Sequence, residues 1–311
     1  MKKIILDCDP GHDDMIAIML AFASEEIEIL GITTVAGNQT GEKTFENALK
    51  VLTLINANDI KVARGFDKPI LRELVTAPKI HGISGLDGAN LPKSNVSPLK
   101  IDAVDFIIQT LLYSSEKIYL VPTGPLTNIA ISLLKEPKIK EKIEKIVLMG
   151  GAIFDSNITP SAEFNIYVDP EAAKIVFDSG VPIVMIGLDV TNKARLSFED
   201  IEKIERMNGK ISKVVAPLLK FFANANKEFF GFDGAPIHDA LTIAYLIDET
   251  ILKLKNYFVD VETFGELTRG RTVVDVYNVL GKNKNALVAV EVDIFKFKKM
   301  IFDMLNKLDK M

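Results

Sequence analysis

Short runs of apolar and β-branched residues alternate along the chain with longer segments whose apolar positions recur at helical period. IILDCD is followed by DDMIAIMLAFAS, and EILGITTVAGN by GEKTFENALKVLTLINA. Next come IKVARG, DAVDFIIQTLLYS, KIYLVPTG with PLTNIAISLLKE, KIVLMGG, PEAAKIVFDSG and VPIVMIGLDV. This rhythm predicts an α/β fold: a mostly parallel open sheet with helices on both faces and a Rossmann-like core. Past Leu196 the pattern turns helical, through FEDIEKIERMNGKISKVVAPLLKFFANANKEFF and HDALTIAYLIDE. It then returns to extended runs (NYFVDVET, RTVVDVYN, NALVAVEVD) and a last helix, IFKFKKMIFDMLNKL. No repeat, low-complexity stretch or linker interrupts it, so the expectation is one domain over residues 1–311 with a decorated C-terminal part.

In such sheets ligands bind beyond the carboxyl ends of the strands. The residues expected there are Asp9 after the first strand, Asn38 after the second, Thr123 in YLVPTGPLTN and Met149 in VLMGG. Composition narrows the partners. With 37 Lys+Arg against 42 Asp+Glu the net charge is -5, spread without long blocks, which gives no basic footprint for nucleic acid and points to small molecules. One cysteine, Cys8, excludes an internal disulfide and a thiolate metal cluster, and as a lone thiol on a strand it reads as core. MKKIIL meets Asp7 too early for a signal peptide, and Met15–Ala23 is far shorter than the ~20 residues of a membrane span; a cytoplasmic protein is expected.

DCDPGHDD holds four carboxylates, Asp7, Asp9, Asp13 and Asp14. Side chains alternate on a strand, so Ile5, Asp7 and Asp9 share one face and Leu6 and Cys8 the other. Asp13 and Asp14 fall at the start of the next helix, where the macrodipole favours negative charge by ~0.3 to 1 kcal/mol. Capping accounts for one or two carboxylates. It does not account for four, since two of them ~4 Å apart repel by roughly 4 kcal/mol at an effective dielectric near ~20. Either some are protonated or a cation holds them. His12 has no second His or Cys at ligand spacing, the donors are oxygens, and the cation is therefore a hard one, Ca²⁺ or Mg²⁺, with ligands converging from distant segments rather than from an EF-hand loop.

Other segments each admit two accounts. His81, in KIHGISGLDGAN, is an active-site flap residue or an exposed loop histidine. Asp239, beside His238 in APIHDAL, is a ligand or a helix cap. Glu163 and Asn165 flank Phe164 in NITPSAEFN; if extended, they form a polar pair suited to hydroxyls, or else a solvated face. Asp169-Pro170 reads as an N-cap followed by proline at the first helical position. Phe222, Asn226 and Phe230, four residues apart, share a helix face that lines a pocket or packs in the core.

Taken together, DCDPGHDD, VAGN (35–38), VPTGPLTN, LMGGA, NITPSAEFN with DPEAA, and HDA resemble, in order, the motifs of the nucleoside hydrolase family, calcium-dependent enzymes that cleave the N-glycosidic bond of ribonucleosides. The resemblance implies Ca²⁺ held by Asp9, Asp14, Asp239 and the Thr123 carbonyl, with Asp13 as general base and Asn38 near the water. It implies Asn157, Glu163 and Asn165 on the ribose hydroxyls, with Asp14, Phe164 and Met149 also lining the substrate site, and Asp7 holding the loop from behind. His81 and His238 fall on the base side, His238 as a reasonable acid near neutral pH. A homodimer or homotetramer is implied. The purine-specific branch stacks its base on tryptophan, which this chain lacks, so the resemblance favours uridine and cytidine, with inosine beside them. Where pyrimidine-selective relatives tend to carry tyrosine, Phe229 and Phe230 stand here. Haloacid-dehalogenase-like phosphatases, the rival enzyme class, want Thr or Val at the position of Gly11 and leave NITPSAEFN unexplained; a non-catalytic calcium or nucleoside binder leaves Asp13 without a task.

Overall fold

A computed structural model describes residues 1–311. The first apolar run forms β1 (Lys2–Cys8), followed by β2 (Ile27–Thr34), β3 (Val62–Arg64), β4 (Ile118–Pro122), β5 (Ile143–Met149) and β6 (Ile183–Ile186). β7 (Arg195–Leu196) pairs with β8 (Ala235–Pro236) as a small separate ladder. β9 (Leu252–Tyr257) precedes a hairpin of β10 (Val259–Val261) and β11 (Thr272–Val274), and β12 (Ala286–Val292) completes the set. Eight strands make one sheet in the order β3-β2-β1-β4-β5-β6-β12-β9, parallel throughout except for the β12–β9 pair. The α/β architecture expected from the rhythm is what forms.

Alternation along β1 divides the core between the two faces of this sheet. Ile4, Leu6 and Cys8 pack with the helices His12–Ala23, Ser212–Phe230, Ala240–Ile247 and Ile294–Leu308, while Ile5 packs with Ala103–Tyr113, Thr127–Lys135 and Pro170–Phe177. Both layers are dry and apolar, and Cys8 is buried as expected. Asp7 lies on the face of Ile5. Burying a carboxylate there is tolerable because Thr33 Oγ1 and Asn128 Nδ2 donate to its Oδ1 at 2.6 and 2.7 Å.

Three local expectations change. The glycine-rich stretch after Pro78 contains a helical turn, Pro78–His81, opened by proline and closed by Gly82 at φ 79°, so His81 is a buried residue and not an exposed loop histidine. Phe164–Val168 is helical rather than extended, with Glu163 as its N-cap. Asp239 stands at the cap position of Ala240–Ile247 but its side chain caps nothing. Asp169 does cap, accepting from Ala172 N at 3.1 Å, and its other oxygen takes Thr127 Oγ1 and Ile70 N.

Candidate active site

The strand order reverses at β1, which has β2 on one side and β4 on the other. Chains leaving the carboxyl ends of β1 and β4 diverge there and open a crevice, the usual ligand site of a doubly wound sheet. Asp9 leaves β1 and Thr123 leaves β4 at this point. Asn38 joins them from the loop after β2, donating its backbone N–H to Asp9 Oδ2 at 2.6 Å. Two glycines make room for the Asp9 carboxylate: a Cβ at Gly37 would fall 2.1 Å from its Oδ2, and one at Gly124 2.6 Å from its Oδ1.

Proline and glycine at 10 and 11 then start the helix His12–Ala23, which brings Asp13 and Asp14 back over the crevice. Asp14 accepts from Thr123 Oγ1 at 2.8 Å and from Gly11 N at 3.0 Å. From the far end of the chain, Asp239 arrives with His238, and carboxylate oxygens of Asp13, Asp14 and Asp239 lie within 4.8 Å of one another. All are buried, and no lysine or arginine figures among their main perturbers. Burial, then mutual repulsion, pushes Asp9 and Asp239 upward and Asp13 up to about 8; Asp14 also rises through burial. Asp9 Oδ1 and Asp13 Oδ1 have no hydrogen-bond partner. Buried, unpaired, all-oxygen and mutually repelling donors are what a hard divalent cation fits, and the cluster could hold a metal ion.

Opposite the carboxylates lies the segment before β6. Asn157 Oδ1 accepts from Phe164 N, and Glu163 accepts from Gly151 N, Asn165 N and Ile166 N, so the two side chains fix the turn that starts the short helix. Asn165 Nδ2 reaches the carbonyls of Thr123 and Met149 at 2.8 and 3.2 Å, tying the exits of β4 and β5 together. Asn157, Glu163, Phe164, Asn165, Thr123 and Met149 all line the same cleft as Asp13, Asn38 and Asp239. Asp9 and Asp14 stand behind that lining. Glutamate is not a usual N-cap, which is why the pattern E-x-N was legible as alternation and not as a helix start.

The third wall is aromatic. His81, Phe222, Asn226, Phe230 and His238 line it, so the helix stripe faces the cleft, while Phe229 is exposed and sits under Lys79 instead. His238 Nδ1 lies 2.8 Å from Thr191 Oγ1. Burial and then the Arg195 guanidinium hold His238 down at about 4, which makes it a neutral imidazole near pH 7. Ala77, Ile80 and Ile158 complete the wall, and nothing in the sequence distinguishes them from ordinary core positions.

A model of the inosine-uridine preferring nucleoside hydrolases matches residues 4–299. The chain belongs to that family. As a nucleoside hydrolase it is 50% identical over 304 residues to the pyrimidine-specific ribonucleoside hydrolase RihA of Escherichia coli (strain K12), covering 97% of this chain and 98% of that one. Among solved structures, this nucleoside hydrolase is similar to the purine-preferring ribonucleoside hydrolase from Gardnerella vaginalis, with a TM-score of 0.93, 36% identity and 99% of each chain covered. The plant nucleoside hydrolase PpNRh1 follows at TM-score 0.92 and 31% identity, covering 98% of each chain. The enzyme is thus an N-glycosidase, and the phosphatase reading is not favoured. No helix is long and apolar enough to cross a membrane.

Proposed function

We propose that this nucleoside hydrolase cleaves pyrimidine ribonucleosides, uridine and cytidine with inosine beside them, in a Ca²⁺-dependent reaction. The observation that carries the reading is one cleft with Asp13 and the acidic cluster on one wall and Asn157, Glu163 and Asn165 on the other. Asp9, Asp14, Asp239 and the Thr123 carbonyl are the proposed ligands. A bound Ca²⁺ supplies Lewis acidity and fixed positive charge beside a water and the vicinal ribose hydroxyls.

The remaining work falls to side chains. Asp13, whose Oδ1 is free, takes the proton of the attacking water. Asn157, Glu163 and Asn165 hold the ribose, and the surrounding carboxylates favour the positive charge that develops on an oxocarbenium-like sugar. Phe222, Phe230, His81 and His238 enclose the base. Asn38 orients the water side through Asp9 and Asp14 Oδ2, 3.3 Å from its Nδ2. Pyrimidine preference is supported by the relatedness to RihA and by the absence of tryptophan.

A panel of uridine, cytidine, inosine and their 2′-deoxy forms, read by released reducing sugar, tests this. The ribonucleosides are expected to turn over and the deoxy forms to be poorer by up to about 10⁴, because a site built around a hydroxyl is left with unpaired buried groups. Silence on every ribonucleoside with Ca²⁺ present, or equal rates on uridine and deoxyuridine, contradicts it. We further propose a homodimer or homotetramer, supported by large apolar side chains left exposed around the hairpin, Phe264, Leu267, Tyr277 and Val279 among them; light scattering reads it directly.

A further inference from the structure

His12 is the member of DCDPGHDD with no part in the site so far, although its side chain is wholly buried beside it. It lies flat between aromatic neighbours, 5.0 Å from the Phe222 ring at 3° and 5.6 Å from Phe221 at 12°. Its two nitrogens have different partners. Nε2 is 2.8 Å from the Asp87 carbonyl oxygen, which can only accept, so Nε2 carries the proton and Nδ1 is left with a lone pair. That lone pair points at His81 Nδ1, 3.3 Å away.

Two tautomers of His81 compete. If its Nδ1 is bare, it accepts from the His12 backbone N–H at 3.4 Å, but two lone pairs then face each other at 3.3 Å among buried aromatic rings. If Nδ1 carries the proton, it donates to His12 Nδ1, and the His12 backbone N–H, 3.4 Å from the same nitrogen, is left without an acceptor in the first helical turn, where no intrahelical partner exists. The first tautomer opposes two lone pairs across the shorter contact, 3.3 Å, and the second leaves one N–H unpaired across the longer, 3.4 Å, so the second is the better arrangement. Gly11 permits the approach: a Cβ there would lie 2.5 Å from His81 Nδ1.

We propose that His12 is a positioning residue that fixes the tautomer of His81, so that His81 presents a bare Nε2 as a hydrogen-bond acceptor to the nucleobase. The Asp87 carbonyl sets His12, and His12 sets His81. This rests on the reading of the cleft as a nucleoside site and deepens it in two ways. The edge read by His81 is an N–H edge, such as the imide N–H of uracil, the lactam N–H of hypoxanthine or the amino group of cytosine. The proton that accompanies the leaving base does not come from His81, which leaves that task to water.

Three histidines make the chain tractable for ring-¹⁵N histidine labelling and two-dimensional NMR on the intact wild-type protein near neutral pH. His81 is expected to show a pyrrole-type Nδ1 and a pyridine-type Nε2; the reverse pattern overturns the proposal, and neither result depends on activity. The kinetic arm is a double-mutant cycle with His12→Phe, which keeps a flat ring in the stack, and His81→Phe. His12→Phe should lower kcat/KM for uridine about tenfold in the wild-type background, the scale of one lost hydrogen bond, and add nothing once His81 is gone. An equal loss in both backgrounds would show that His12 is merely structural. If His12→Phe fails to fold, the wild-type NMR pattern alone decides. Failure of hydrolysis altogether refutes the nucleoside reading and leaves the tautomer standing or falling on its own signal.

Discussion

Asp13 differs from its acidic neighbours in what its oxygens touch. Asp9 is held by Asn38 through Oδ2, and Asp14 by Thr123 and Gly11; Asp13 Oδ1, like Asp9 Oδ1, is buried with no partner, and Asp13 alone of the three lines the cleft. A carboxylate left free by its surroundings is suited to exchanging a proton. Asp13→Asn is therefore expected to cost roughly 10² to 10⁴ in kcat with KM within a few-fold, the range of a lost general base. Isothermal titration with Ca²⁺ separates the roles: an unchanged Ca²⁺ affinity makes Asp13 a base, and a large loss makes it a ligand, as its closeness to Asp14 and Asp239 would also allow. At this scale the sequence was legible where chemistry is local. Four carboxylates within eight residues announce a charge problem, but His12 and His81 are 69 residues apart and each alone looks inert. The expectation that His238 titrates near neutrality gives way to burial and Arg195, both supplied only by the fold.

Among the elements, the short helix Phe164–Val168 lines the cleft with Phe164 and Asn165, and its start depends on Glu163. Burial raises the Glu163 carboxyl from 4.5 to about 7, against the pull of its backbone N–H donors. Between those values the folded chain keeps a proton that the unfolded chain has lost, so the Glu163 contribution to stability is complete below pH 4.5 and is lost as the pH rises through about 7. Without divalent cation, the unfolding free energy of the wild type should fall relative to Glu163→Gln across that window, by a few kcal/mol at most. Urea melts of the two proteins at several pH values measure it, and a difference that stays flat contradicts it. Element existence was readable from periodicity, and some strand ends closely: β1 stops at Cys8, one short of Asp9, but β2 stops at Thr34, four short of Asn38, because the VAGN turn continues its apolar run without continuing the ladder. The helical turn at Pro78–His81 and the capping glutamate were not readable, because each is made by contacts with distant backbone rather than by a repeat.

At the scale of the molecule, the acidic cluster joins the two halves of the sheet at the reversal between β1 and β4. Ligand that binds only the folded state stabilises it, by about 2.7 kcal/mol at a hundred times Kd, or roughly 5 °C in Tm for a chain of this size. Ca²⁺ is expected to raise Tm by that order, a chelator to reverse it, and Mg²⁺ to do less; no response to any divalent cation, with chelator-insensitive turnover, sinks the calcium reading. Strand order itself was beyond the sequence, since alternation says which face a residue takes and not which strand lies beside it.

The acidic cluster draws on the first fourteen residues and on Asp239. During synthesis those early carboxylates leave the ribosome solvated and far apart in function from anything they will hold. They become a site only after some four-fifths of the chain has emerged and Ala240–Ile247 has docked against His12–Ala23. The cluster is thus completed late in synthesis, and a chain terminated before Asp239 would carry the whole signature DCDPGHDD without it.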